Sequence, residues 1–450
     1  MPVSHQHKST ALAITLLAWL SLGLAGLIWG LSLLDSLDRP GVGNALEQRQ
    51  LELNLLAKQG AQLPIVQQLI EKNSEQLLLE AIQKSSDSGS PKGLLEQGLI
   101  EQRLGRKNAA RSHFQAVQNT GNPQQQSLAT ALLDQNAVAD LANKKLPIPP
   151  LPERPIYRLL SCEALGLPSN LCVAPTVINQ AKTRLMLVSL LPLAGVITGV
   201  LLLGRLLWQI WRNRLGQAPE LSGPQLTLLE TLFIVAGGFV VLGEAVVPLL
   251  ALPLVSKAIE LLPLEPAARG GALVMGLYSF TAAPALLLIW GFKAFNLQWR
   301  PSWIALSEGI KGLLMALPLV ALVGWLVEKF WPQAGGSNPL LEQVLDGRNG
   351  TALALLAFTA VVLAPLFEEI LFRGVLMPVV GSYWGNFAGV AISALVFALA
   401  HLSLSEAAPL TVLGLSLGWV RLRSGSLFSC VVMHGLWNSL TFFNLIMLGS

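Results

Sequence analysis

The sequence predicts an all-α fold, a polytopic membrane helix bundle with an extramembrane α-helical insert, and three observations predict it. Of 450 residues, 52% are hydrophobic and only 12% charged, with a mean hydropathy of +0.56. That balance suits a multi-span protein, not a globular enzyme. Apolar stretches recur that are long enough to cross a hydrocarbon core of about 30 Å at 1.5 Å per helical residue. Between the first and second of them lies a long Gln-, Glu-, Leu- and Ala-rich segment with apolar residues at helical spacing. The net charge of +4 and pI near 9.0 would suggest nucleic acid in a soluble chain. Here the basic residues sit mostly at the ends of apolar stretches, where they act as topology signals. The lipid bilayer is the expected partner, and no nucleic acid is expected.

In chain order, residues 1–34 form a cytoplasmic start and a signal anchor, Ala11 to Leu34, too long for a cleaved signal core. The flank Asp35-Ser-Leu-Asp-Arg is acidic, which keeps the start in the cytoplasm and exports the next region. Residues 35–145 are the exported helical insert. Leu51 to Leu56 and Val66 to Ile82 read as amphipathic helices. Gly98, Gly105, Ala110 and Phe114 fall at the offsets of a tetratricopeptide helix hairpin, with Pro123 one place late. Only a single such unit is legible, while a solenoid needs about three.

Residues 146–184 form a linker and a Cys-flanked juxtamembrane patch. The linker, Leu146 to Pro155, holds five prolines in ten residues and favours an extended spacer. Cys162 and Cys172 either pair in an oxidising compartment or stay as thiols.

Residues 185–344 carry the spans Leu185 to Trp208, Leu226 to Leu254, Gly270 to Trp290 and Trp303 to Val327. Arg205, Arg212, Arg214, Lys293 and Arg300 mark their inner ends. Residues 345–450 add Thr351 to Val380, Phe387 to His401, a short broken stretch from Pro409 to Val420, and Leu427 to Leu448, with Arg421 and Arg423 in the last inside loop. About nine spans result, with the amino terminus inside. Glu308 and Lys311, three apart, can pair; Glu244 has no evident local partner.

The chemistry concentrates in the last part. Glu368, Glu369 and Arg373 are the only ionisable residues between Thr351 and Val380. Charges at that depth are costly unless paired or wetted, and so mark function. Glu369 and Arg373 share a face at a spacing of four and can form an ion pair; Glu368 is turned by about 100° and can point elsewhere. Pro365 removes a backbone donor and frees a carbonyl nearby. The turn from Gly381 to Asn386 brings Glu368 and His401 to similar depth, about 20 Å from the turn. His434 is shallower by the same count. Phe397 precedes His401, and Asn438 follows His434, each by four. A carboxylate and two imidazoles suit water activation, with Glu368 as base, an imidazole orienting water or substrate, and His434 with Asn438 on an oxyanion. The alternative is a divalent metal such as zinc on Glu368, His401 and His434.

Glu368-Glu369-x-x-x-Arg373, Phe397-x-x-x-His401 and His434-x-x-x-Asn438, in that order, resemble the three motifs of the CPBP family. It includes type II CAAX prenyl proteases, bacteriocin-processing and self-immunity proteins, and lysostaphin-resistance-like proteins. The resemblance spans about residues 345–448. It implies a helix bundle around a water-accessible cavity and intramembrane peptide-bond hydrolysis of a membrane-associated polypeptide. Glu368 would then activate water, His401 would hold water or substrate, His434 and Asn438 would stabilise the oxyanion, Glu369 and Arg373 would be the supporting pair, and Phe397 would pack. The family has been read both as metalloproteases and as glutamate proteases. Without His-Glu-x-x-His or a thiolate ligand, the expectation is no cofactor, with a divalent metal as the second reading. The insert lies outside the family core and could recruit a protein partner. Other readings are an idle membrane scaffold acting through the insert, or a transporter with a proton or metal site, which would be expected to show an internal repeat.

Overall fold

The computed structural model describes residues 3–38, 42–59, 64–69, 71–85, 87–134, 148–331, 336 and 339–449. Leu146 and Pro147 of the proline-rich run lie outside them. Every regular element among these residues is a helix. The chain forms two compact units, residues 42–191 and residues 1–41 with 192–450.

The unit of residues 42–191 starts with the helix Val42–Lys58. The expected continuous helix from Val66 to Ile82 is two helices, Pro64–Leu69 and Ser74–Lys84. The helices Pro91–Arg103 and Lys107–Thr120 form the hairpin expected from the small-residue offsets. A Cβ on Gly98 would come within 2.5 Å of the Phe114 ring, and Gly105 makes the turn at φ +79°. Pro123 opens the next helix behind an Asn122–Gln125 capping box, which explains its position. The tetratricopeptide reading has no support beyond this hairpin.

The helix Pro155–Ala164 belongs to the core of this unit, where it buries Ile156, Tyr157, Leu159 and Leu160. Its anchor is Glu52, whose Oε1 accepts from Tyr157 Oη at 3.0 Å, Arg154 Nη1 at 2.9 Å and Gln48 Nε2 at 3.0 Å. Glu96 lies 4.0 Å from Arg154, and burial pushes its carboxyl up to about 7 from 4.5, against the pull of that guanidinium. The native unit therefore holds a proton that the unfolded chain releases, so this group's contribution to stability is complete below about pH 4.5 and is lost as pH rises through 7. Glu96→Gln should flatten the dependence of this unit's hydrogen-exchange protection between pH 5 and 7.

Cys162 and Cys172 are joined in a disulfide, ten residues apart, and Cys430 is free and buried. A loop of that length stabilises by about 2–3 kcal/mol in the chain-entropy account. Alkylation of the unfolded, unreduced chain should label Cys430 alone, and all three cysteines after reduction.

The other unit is built from apolar helices labelled α1 to α9: Val3–Ser36, Pro175–Trp211, Leu228–Glu260, Pro266–Gly291, Trp303–Phe330, Gly350–Trp384, Asn386–Leu399, Leu404–Ser424 and Leu427–Gly449. The boundary between the units falls inside α2, at Pro192. Seven of these helices are long and apolar enough to cross a membrane; α7, with 14 residues, and α8 are not among them. The stretch that reads as broken around Pro409 is one helix, α8.

Two helices contain π-helical segments, Phe233–Val246 in α3 and, in α6, Thr359–Leu363 and Ile370–Leu376 on either side of the Glu-Glu pair. The turn between α6 and α7 is Gly385 at φ +87°, a conformation that glycine adopts without strain. The core of this unit is mostly aliphatic, with four phenylalanines, Phe239, Phe367, Phe372 and Phe397, buried beside Leu371, Leu417 and Met433. At Gly414 a Cβ would sit 2.9 Å from Ala394, so glycine lets α8 approach α7 closely.

Glu230, Glu308 and Lys311 have structural roles. Glu230 caps the start of α3 with Thr227, and Lys311 Nζ meets Glu308 Oε1 at 2.8 Å on an exposed face. Arg421, read from the sequence as a marker of the last inside loop, is not a free surface cation. It is fully buried and donates to Gln298 Oε1 at 2.7 Å and to the carbonyl of Arg373 at 3.4 Å.

Candidate active site

The site is built on α6. Glu369 and Arg373 are both wholly buried, 0% exposed, and Arg373 Nη1 donates to Glu369 Oε1 at 2.9 Å. The spacing of four residues predicted this pair. Arg373 also donates from Nη2 to the Gly414 carbonyl at 3.2 Å, and its guanidinium lies 4.4 Å from the Phe397 ring centroid. A buried guanidinium is tolerated because carboxylate, carbonyl and ring face it together.

His434, from α9, closes the group. Its Nδ1 lies 2.9 Å from Glu369 Oε1, and its Nε2 lies 3.9 Å from Glu368 Oε2. Counting residues from the nearest turn makes His434 shallower, whereas the structure puts it against both glutamates. Such counting leaves out the tilt and π-turns of real helices. Glu368 does point away from Glu369, toward α4, where Tyr278 Oη donates to its Oε1 at 3.2 Å. Among the described residues, Glu368 Oε2 is buried and has no hydrogen-bond partner.

His401 is not in direct contact with the carboxylates. It sits against Phe397, ring centroids 4.8 Å apart, and Phe397 in turn lies 5.5 Å from His434. His401 Nδ1 is 2.9 Å from the Phe397 carbonyl, which can only accept. The imidazole therefore carries its proton on Nδ1 and presents Nε2.

Asn438 extends the same face of α9. Its Nδ2 donates to the Ala360 carbonyl at 2.7 Å. In a π-helical register that carbonyl would accept from residue 365, which is the proline, so Asn438 supplies the missing donor. Alongside it, a Cβ on Gly435 would lie 3.0 Å from the Val361 carbonyl, so the two helices run close together here.

Two contributors were not legible as site residues. Tyr278 carries no spacing signal linking it to a glutamate 90 positions away, although it is one of only three tyrosines and lies in an apolar span. Glu244 finds its partner on α1, where Trp29 Nε1 donates to its Oε2 at 2.7 Å.

The three candidate metal donors do not assemble. Among the described residues, no group of three His, Cys, Asp or Glu side chains is arranged to hold an ion. His434 Nδ1 is engaged by Glu369, and His401 packs against Phe397, which also meets the His434 ring. Of the three, Glu368 and His434 approach each other, Oε2 to Nε2 at 3.9 Å.

Comparison with known proteins fits this geometry. Residues 350–440, which contain all three motifs, match the family described as type II CAAX prenyl endopeptidase Rce1-like. Residues 43–183 match a domain of unknown function. The chain is 31% identical over 133 residues to an Escherichia coli protein called "Uncharacterized 24.3 kDa protein", an alignment covering 28% of this chain and 60% of that protein. No solved structure matches the chain. Tyr278 thus reaches the matched residues from a helix outside them, while Trp29 and Glu244, bonded to each other, both lie upstream of the match.

Proposed function

We propose that the chain is an intramembrane endopeptidase that hydrolyses a peptide bond of a membrane-associated polypeptide with Glu368 as base. The observation that carries this reading is the Glu368 carboxylate. One oxygen is held by Tyr278, and the other is buried, without a hydrogen-bond partner among the described residues and 3.9 Å from His434, while the adjacent Glu369 is neutralised by Arg373. A base kept apart from its own counter-ion is free to take a proton.

In the proposed reaction, Glu368 Oε2 removes a proton from water as the water oxygen attacks the scissile carbonyl carbon. His401 Nε2, opposite the nitrogen fixed on the Phe397 carbonyl, accepts from that water or orients the substrate. His434, tied through Nδ1 to Glu369, donates to the oxyanion from Nε2 when doubly protonated, and the second N–H of Asn438 adds to it. Glu368 then passes its proton to the departing amine, which balances the hydrolysis.

The insert is placed on the exported side, a reading supported by the disulfide, which persists in oxidising compartments, and by the basic flanks. There it could bring a substrate or a protein partner to the membrane. Helices α7 and α8 would cross as a pair and complete nine spans without changing the side on which α9 ends. Release of a labelled peptide from a membrane-tethered panel by the purified chain tests the reading, with Glu368→Gln as its control.

A further inference from the structure

We infer that Tyr278 is a positioning residue for Glu368, holding Oε1 so that Oε2 alone faces the reacting water. The inference rests on the endopeptidase reading and extends it to a helix outside the matched residues 350–440.

A free glutamate turns easily about its last torsion, which is broad and roughly two-fold, so its two oxygens exchange. Here a single donor distinguishes them. Tyr278 Oη donates to Oε1 at 3.2 Å, while Oε2 is buried without a partner among the described residues and faces His434 Nε2 at 3.9 Å. The tyrosine is itself fixed, its ring meeting Phe367 edge-on at 6.3 Å, and Phe367 packs in the same way on Phe239 at 5.5 Å. The hydroxyl is therefore delivered from a rigid aromatic stack on the residue next to the base.

Glu244, a glutamate of the upstream spans near this point, is engaged elsewhere. Trp29 Nε1 donates to Glu244 Oε2 at 2.7 Å, and the tyrosine hydroxyl donates to Glu368. A bare phenyl ring could fill the same space, but only the hydroxyl fixes the plane of the carboxylate. Orientation of a base within a fraction of an ångström is worth about tenfold or more in rate.

The test compares full-length wild type, Tyr278→Phe, Glu368→Gln and the double variant on a labelled peptide that the wild type cleaves. Phenylalanine keeps the ring and its contact with Phe367. The expected result for Tyr278→Phe is a kcat lower by about tenfold, KM within about twofold, and an unchanged thermal midpoint in detergent. In the Glu368→Gln background the tyrosine substitution should change nothing further. If kcat stays within about twofold of wild type while Glu368→Gln is inactive, the inference fails and the endopeptidase reading stands. A raised KM with constant kcat would make Tyr278 a substrate contact, and a lowered midpoint would make it a packing residue; either overturns positioning. Activity retained by Glu368→Gln, or a panel untouched by the wild type, counts against the endopeptidase reading itself.

Discussion

Glu368→Gln is expected to lower peptide release by about 10²- to 10⁴-fold while insertion, yield and thermal midpoint stay at wild-type values. The amide keeps the volume of the carboxylate and can still accept from Tyr278 Oη through its own oxygen, the contact now made at 3.2 Å. What disappears is the basicity of the second oxygen, which has no hydrogen bond to lose among the described residues. An idle scaffold would not register the change. The decisive measurement is single-turnover cleavage by wild type and variant in the same detergent, because a slow chemical step then appears directly in the rate. Equal cleavage by both would sink the assignment of the base.

Arg373→Leu should instead act on stability, lowering it by about 3–5 kcal/mol, the range for breaking a buried ion pair from one side. Glu369 is wholly buried and would retain only His434 Nδ1 at 2.9 Å; its Oε2 already has no partner among the described residues. The Gly414 carbonyl on α8 and the face of Phe397 would lose their cation too, so α6, α7 and α8 loosen together. The double variant Glu369→Gln/Arg373→Leu removes the stranded charge and should recover part of the loss. Thermal midpoints of the two single variants, the double variant and wild type close a cycle. A double variant no better than Arg373→Leu would mean that the pair carries little coupling energy.

Much of this site was legible because its residues are chemically out of place. Two glutamates and an arginine in an apolar span need explanation, and a spacing of four predicts the Glu369–Arg373 pair without further information. Pro365 announces a vacant carbonyl, and the structure names both the carbonyl, Ala360, and the donor, Asn438. Local rules stop where helices meet. That His434 reaches Glu369 and that the Phe397 ring meets both His401 and His434 depend on helix tilt and π-turns, which residue counts do not carry. Arg421 has partners that local rules do not give. A basic residue at a helix end looks like a topology signal, yet this one is buried against Gln298 and the backbone of Arg373.

The insert was legible as helices but not as a compact unit. Glu52 gathers partners about a hundred residues away, Arg154 and Tyr157, and no periodicity joins those positions.

The hydroxyl on Glu368 comes from α4, and the indole on its neighbour Glu244 from α1, both upstream of residues 350–440. On the endopeptidase reading, the three motifs are therefore not a portable cassette. Grafted onto another bundle they would carry their ion pair with them but leave behind the group that aims the base. Chimeras between relatives should work only where the host's own helices supply a donor at that point.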